Sequence, residues 1–310
     1  MPKVSVIIPV YGVEQCIERC ARSLFEQTLD DIEFLFIDDC TPDLSIQILN
    51  NVLKDYPSRV PLTKIIKMEK NSGQAAVRTK GLYLATGDYI IHCDSDDWVD
   101  KTMYEQMYSL AIKGNYDCVI CGFTRTNGVD SHVEHIENVK TTLFEDLLRN
   151  NLSLSLWNKM YSRLLFNKET FLPPVGNMGE DAIINFQLSL NCKNVGVINK
   201  SLYYYFENIN SICTNPTLKA AISRFRESYK NVPILIDFFK SNGLYEKYKT
   251  NIIEIIVGKR VWLIPHLNND DCYRLWKNAY PELNKELLLN IRISIKTKIR
   301  FILNYLRIRV

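Results

Sequence analysis

The chain has 310 residues, 46% hydrophobic and 24% charged, which is material for one large or two modest globular domains and excludes a disordered or fibrous chain. With 38 Lys and Arg against 35 Asp and Glu the formal net charge is +3, too small a surplus to mark a nucleic-acid binder. No apolar run approaches the ~18 residues of a spanning helix; the N-terminus reads as a strand rather than a signal peptide, and nine scattered cysteines suit free thiols in a reducing cytosol.

In chain order, residues 4–8 are a β-branched run bounded by Pro9 and predict a buried strand. Over 14–27, Cys16, Ile17, Cys20, Leu24 and Phe25 share a helical face. Strands are then predicted over 33–37, 62–68 and 88–93, with helices over 45–54 and 74–85 between them. Such alternation argues for a parallel sheet covered on both faces, with ligands beyond the carboxyl ends of the strands. Further on come a helix over 104–113, a strand over 118–123, a polar loop or hairpin over 124–140 and a helix over 152–156. A helix over 181–190 and short strands over 195–198 and 202–206 follow. From about Thr217 the pattern is helical, with Pro233, Pro265 and Pro281 as breakers. A boundary near 215 would separate an α/β unit, 1–100 and 101–215, from a helical region, 216–310.

The sharpest chemical signal is Asp94-Ser95-Asp96-Asp97, directly after a predicted strand. Carboxylates two apart at a strand end converge on a hard divalent cation, which completes its shell with water and substrate phosphates; a solvated acidic turn, or Asp97 capping the next helix, is the alternative. Asp38-Asp39 closes an earlier strand, where an acid bonds a ribose hydroxyl or a base N–H, or simply makes a turn. Asn71-Ser72-Gly73 turns into a helix whose N-terminus favours anions, with Arg78 one turn in. Neither G-x-G-x-x-G after the first strand nor G-x-x-x-x-G-K-[ST] occurs, which disfavours dinucleotide oxidoreductases and P-loop NTPases.

Together these stretches resemble the family 2 glycosyltransferases. The resemblance runs through Val4-Ser5-Val6-Ile7-Ile8-Pro9-Val10-Tyr11, Ser23-Leu24-Phe25-Glu26-Gln27-Thr28, Asp38-Asp39, Asn71-x-Gly73 to Arg78-x-x-Gly81, Gly87-Asp88-Tyr89-Ile90 and Asp94-Ser95-Asp96-Asp97-Trp98. Trp157-Asn158-Lys159-Met160-Tyr161 and Gly179-Glu180-Asp181 extend it to about residue 210. It implies a GT-A fold, a Rossmann-like mixed sheet of the α/β class, and transfer of a hexosyl or N-acetylhexosaminyl group from a nucleotide diphosphate donor, a UDP-sugar, with inversion.

By position, the resemblance places Pro9 and Tyr11 against the base and Asp39 on it. Arg78 falls near the ribose and diphosphate, and Asp94 and Ser95 at the nucleotide. Asp94 and Asp96 fall on a Mn²⁺ or Mg²⁺ ion, and Asp181 is the catalytic base. Trp157, Lys159 and Glu180 would face the acceptor, a glycan or lipid-linked hydroxyl in surface polysaccharide synthesis. Three departures stand out: Gly12 for the usual Asn, Cys40-Thr41 for Gly-Ser, and Val77-Arg78-Thr79 for Ala-Arg-Asn. The other readings are a nucleotide-sugar-binding protein without transfer activity and a metal-dependent nucleotidyltransferase, although the loop after the first strand lacks a basic residue.

Other signals read as structural. Cys118-x-x-Cys121 lies inside a predicted strand, His132-x-x-His135 in a polar stretch, and Tyr203-Tyr204-Tyr205-Phe206 in a strand. Trp157 suits either sugar stacking or a core. Residues 287–310 hold six basic side chains (Arg292, Lys296, Lys298, Arg300, Arg307, Arg309) and no acid. As a helix, Ile291, Ile295, Ile299, Ile302 and Leu306 form a stripe, which predicts either peripheral contact with the inner face of the cell membrane or packing on the protein body. The expected location is cytoplasmic.

Overall fold

The computed structural model describes residues 1–136, 139–207, 215–291 and 293–307. The chain forms two compact units, Met1–Pro174 with Asp181–Asn208, and Val175–Glu180 with Ile209–Val310.

In the first unit the elements run β1 (Val4–Val10), α1 (Ile17–Phe25), β2 (Ile32–Asp38), α2 (Ser45–Lys54), β3 (Thr63–Lys67), α3 (Gln74–Leu84), β4 (Tyr89–His92) and β5 (Trp98–Val99). Then come α4 (Met103–Gly114), β6 (Cys118–Thr126), β7 (Ser131–Glu134), α5 (Leu143–Leu148), β8 (Lys159–Ser162), α6 (Glu180–Ser189) and β9 (Val195–Phe206). The sheet order is β3-β2-β1-β4-β8-β6-β9-β5, with β7 paired to β6. The first four strands are parallel, as their alternation with helices predicts, whereas β8 is antiparallel to both β4 and β6 and makes the sheet mixed. All of β2, and all of β1 except Pro9, is buried, which is why both read as continuous apolar runs.

Of the two readings of the polar stretch over 124–140 the hairpin holds, with Phe123–Thr126 paired to Ser131–Glu134, whereas two other expectations change. The two strands expected over 195–206 are one strand, β9, irregular in register opposite Gly122, where a Cβ would meet the carbonyl oxygens of Glu134 and Lys200 at 2.9 Å each. Residues 152–156 form no helix. Their backbone is turned to give the Ser153 and Ser155 carbonyls to the Lys159 ammonium, at 2.6 and 2.8 Å, which removes them from any helical ladder.

The amino ends of the central strands are locked around a buried carboxylate. Glu33 accepts from the Ser5 hydroxyl at 2.6 Å, the Lys64 ammonium at 2.7 Å and the Thr86 amide at 3.0 Å. Gly87 passes so close that a Cβ would lie 2.7 Å from the Ser5 nitrogen, which accounts for glycine in Gly87-Asp88. The α1 motif has a comparable reason: the Gln27 amide donates to the Asp100 carbonyl at 2.8 Å and accepts from the Tyr104 amide at 3.2 Å, joining α1 to the start of α4.

The second unit is helical, as expected: α7 (Leu218–Lys230), α8 (Val232–Ser241), α9 (Tyr245–Gly258), α10 (Asp270–Asn278), α11 (Glu282–Leu289) and α12 (Ile295–Tyr305). Its prolines lie at the interruptions between helices, as expected of breakers: Pro233 in the first turn of α8 and Pro281 just before α11, where a missing N–H costs nothing, and Pro265 in a 3-10 segment, Lys259–His266.

Burial opposes ionisation of Glu33, but hydrogen bonds from Lys64, Ser5 and the Thr86 amide outweigh it and hold the carboxyl below its ordinary value of 4.5. A depressed carboxylate stabilises the fold above its unfolded pKa, and that contribution is lost as pH falls through the folded value. Glu33→Gln is therefore expected to cost on the order of 1–3 kcal/mol at neutral pH, and less as the pH drops below 4.5. Urea unfolding across that range checks it; a loss independent of pH would contradict the ionised acceptor.

Candidate active site

The residues singled out from sequence gather at the carboxyl ends of β1, β2 and β4. Beyond β1, Tyr11 is exposed and Pro9 half-buried, leaving an aromatic face open to a flat ligand. Beyond β2, the two Asp39 oxygens accept the Ser72 and Gly73 amides, both at 2.7 Å. This buried acid thereby holds the turn that opens α3, where Gly73 takes a φ of +83° that disfavours a side chain. Each oxygen keeps a second lone pair, so a base N–H remains within its capacity.

Two of the sequence departures meet in the neighbouring loop. The Thr41 hydroxyl accepts the Gly12 amide at 2.8 Å, the Ser45 hydroxyl accepts the Val13 amide at 3.1 Å, and Asp43 accepts the Glu14 amide at 3.0 Å. Thr41 and Ser45 in turn donate to Asp43 at 2.7 and 2.6 Å. Three consecutive amides after β1 are thus satisfied by the loop after β2 and the first residue of α2.

At the end of β4 the arrangement turns on charge. The buried Arg78 guanidinium, on α3, donates through Nη2 to Asp94 Oδ1 at 2.8 Å, and its Nε lies 3.5 Å from Asp181 Oδ1 at the start of α6. One cation thus sits between an acid expected to meet the nucleotide and the acid expected to act as base. Burial, then the Asp94 charge, pushes Asp96 up to about 6. Two hard carboxylates, one of them poorly solvated and repelled by the other, fit a divalent cation that relieves both penalties. Among the described residues no cluster of three or more metal-ligating side chains occurs; Mg²⁺ needs only one or two carboxylates when water and phosphate complete its shell.

Asp97 does not cap a helix. It is fully buried, accepting the Tyr203 hydroxyl at 2.6 Å and the Phe206 amide at 2.7 Å, while the same hydroxyl accepts the Asp94 amide at 3.1 Å. Burial, reinforced by Asp96 and Asp94, pushes its carboxyl well above the ordinary value. Arg19 fixes the other side of the loop: it donates to the Asp96 carbonyl at 2.8 Å and covers the rings of Trp98 and Phe206, 3.9 and 4.6 Å from their centres. Neither Arg19 nor Tyr203 carries a local sequence signal, because their partners lie 77 and 106 residues away.

The expected acceptor residues divide. Trp157 is buried, stacked on Tyr203 at 4.3 Å and edge-on to Phe123 at 4.7 Å, so the core alternative holds for its ring. Lys159 is buried and spends its ammonium on Ser153, Ser155 and the Asn158 side chain; burial lowers it to about 8. Asn185 accepts the Tyr161 hydroxyl at 2.6 Å and donates to the Leu154 carbonyl at 2.7 Å, which holds α6 against the same loop. Glu180 belongs to the second unit. There the buried Asn231 side chain accepts the Val175 and Gly176 amides, at 2.8 and 2.9 Å, and donates to the Gly176 carbonyl at 2.8 Å, fixing the segment that leads into Gly179-Glu180. The Cys118 and Cys121 thiols are buried in β6, and His132 and His135 lie exposed at the hairpin.

Residues 5–185 match the profile of glycosyl transferase family 2. The chain belongs to that family. Over its whole length it is 28% identical to the uncharacterized glycosyltransferase EpsJ of Bacillus subtilis strain 168, spanning 86% of that protein. Among solved structures, Staphylococcus aureus TarS residues 1–349 in complex with UDP-GlcNAc superposes with a TM-score of 0.57 at 18% identity, covering 90% of this chain and 92% of that one. The mannosyltransferase PcManGT of Pyrobaculum calidifontis, in complex with GDP-Man and Mn²⁺, does so at 0.54 and 13%, covering 99% and 86%. The fold of this family 2 glycosyltransferase is GT-A, with the mixed sheet and helical C-terminal region that the sequence led us to expect. No helix among its described residues is long and apolar enough to cross a membrane.

Tyr203→Phe keeps the ring on Trp157 but leaves the Asp94 amide and an Asp97 oxygen without their shared hydroxyl. We expect a loss of about 1–3 kcal/mol in urea unfolding, against under about 0.5 kcal/mol for Tyr204→Phe on the same strand. Equal values would mean that the hydroxyl bridge contributes nothing.

Proposed function

We propose that this glycosyltransferase moves a hexosyl or N-acetylhexosaminyl group, with inversion, from a UDP-sugar to a hydroxyl of a glycan or lipid-linked acceptor in surface polysaccharide synthesis, on the cytoplasmic side of the cell membrane. Residues 1–215 would form the catalytic domain, 1–100 for the nucleotide and 101–215 for the acceptor. The observation that carries the proposal is the pairing of Asp94 and Asp181 through one buried guanidinium, which sets a donor-side acid and a base-side acid about one arginine apart.

The exposed Tyr11 ring, beside Pro9, supplies a stacking face for the base, and the remaining Asp39 lone pairs accept its N–H. Asp94 and Asp96, flanking Ser95, would hold the Mn²⁺ or Mg²⁺, which supplies neutralisation of the departing diphosphate when bound. Asp181 takes the acceptor's hydroxyl proton as the new bond to the anomeric carbon forms; the bond from that carbon to the diphosphate oxygen breaks, and the nucleoside diphosphate leaves. Arg78 Nε, 3.5 Å from Asp181 Oδ1, would hold that carboxyl in position for this step. Trp157 and Lys159 act from within the core by shaping the 153–158 loop, and Glu180 is assigned to the acceptor.

Asp96→Asn is expected to abolish most transfer with the fold intact. The assay is release of nucleoside diphosphate, since release of pyrophosphate would instead indicate a nucleotidyltransferase. Near-normal turnover at saturating metal would remove Asp96 from the cation's ligands.

Asp181→Asn should lower turnover by at least ~100-fold with donor affinity little changed, whereas Glu180→Gln should act on acceptor KM. The reverse pattern would move the base to Glu180.

A further inference from the structure

Helix α12 carries two apolar surfaces. One is anchored: the buried Phe301 ring lies 5.4 Å from Trp276 of α10, the Tyr273 hydroxyl donates to the Tyr305 carbonyl at 2.6 Å, and Arg307 pairs with Asp270 at 2.8 Å. The other is bare. Ile295, Ile299, Ile302 and Leu306 recur at intervals of four, three and four residues, on one helical face, and are 74, 51, 42 and 60% exposed. The packing alternative for this stripe therefore fails: Phe301, on a different face, makes the contact with the body.

Isolated exposed leucines and isoleucines need no explanation, but four in line on a helix held rigidly from its other side form a patch. Its charge indicates the occupant. By helical geometry Lys298 lies on one flank and Lys296 and Arg300 on the other, and among the described residues none of the three is ion-paired. No acid occurs between 287 and 310. An apolar stripe between unpaired cations complements a surface with acyl chains below and negative headgroups above. A second copy of the same helix would instead bring cation against cation.

We infer that α12 docks this protein on an anionic lipid bilayer, with Ile295, Ile299, Ile302 and Leu306 entering the acyl boundary and Lys296, Lys298 and Arg300 at the headgroups. The inference deepens, and rests on, the proposed cytoplasmic membrane-side location, but needs no sugar transfer.

The test is co-sedimentation of the full chain with vesicles of phosphatidylcholine plus phosphatidylglycerol, or phosphatidylcholine alone, at low and high salt, without donor or acceptor. Binding should require phosphatidylglycerol and weaken with salt. Each cation near such a surface changes the partition about five-fold, so Lys296→Gln with Arg300→Gln should lower binding about 25-fold. Ile295→Gln with Ile299→Gln should abolish it, with unfolding midpoints held near the parent's because these side chains are exposed. Absent binding, equal binding to phosphatidylcholine alone, or full binding by the isoleucine variant would each overturn docking. So would a dimer, measured by light scattering, that the isoleucine changes dissolve without any vesicle binding. Nucleoside diphosphate release with a soluble acceptor, measured in parallel, reports separately on the proposed transfer.

Discussion

The buried guanidinium of Arg78 is the constraint around which the carboxyl end of the parallel sheet is organised. Burying a cation is costly unless it is paired, and Arg78 is paired with Asp94 at the end of β4 and lies beside Asp181 at the start of α6. Elements 87 residues apart in sequence are thereby drawn to one charge. The arginine is held by α3, which itself begins at a turn clamped by Asp39, so two strand ends and the start of a helix feed a single electrostatic centre.

The two ends of the parallel sheet solve the burial of charge differently. At the amino ends, Glu33 is surrounded by donors and lies below its ordinary pKa, a satisfied and rigid lock. At the carboxyl ends, burial and the Asp94 charge push Asp96 upward, and burial with Asp96 and Asp94 does the same to Asp97. Such an acidic cluster is stable only because its backbone is tied down by Tyr203 and Arg19, and it gains most from a cation or a donor reaching it. Rigidity at one end and unrelieved charge at the other distinguish the two ends of the sheet, and the proposed site lies at the charged one.

The helical unit contributes in two places of its own. Asn231 fixes the segment leading into Gly179-Glu180, and Gly176 is required there because a Cβ would collide with the Glu227 carbonyl. At its end, α12 is anchored by Phe301 and leaves its second apolar face to solvent. A single amphipathic pattern in sequence thus resolves into a packed face and a bare one.

Much was legible before the structure because the signals were local. The apolar runs of β1 and β2, the helical face of α1, and the acids after β4 follow from adjacent residues and place the strand ends where ligands bind. The family motifs then led to the GT-A fold. What only tertiary structure decided depends on distant partners. Asp97 looks like a helix cap until Tyr203 and Phe206, more than 100 residues on, claim its oxygens. Trp157 and Lys159 look like surface acceptor contacts until burial takes the ring and three acceptors take the ammonium. Residues 152–156 are expected to be helical from sequence, yet the Ser153 and Ser155 carbonyls are turned to that ammonium instead of to a ladder. Local pattern dictates which elements form, whereas the destination of a buried charge is set by whatever the fold brings within hydrogen-bond reach.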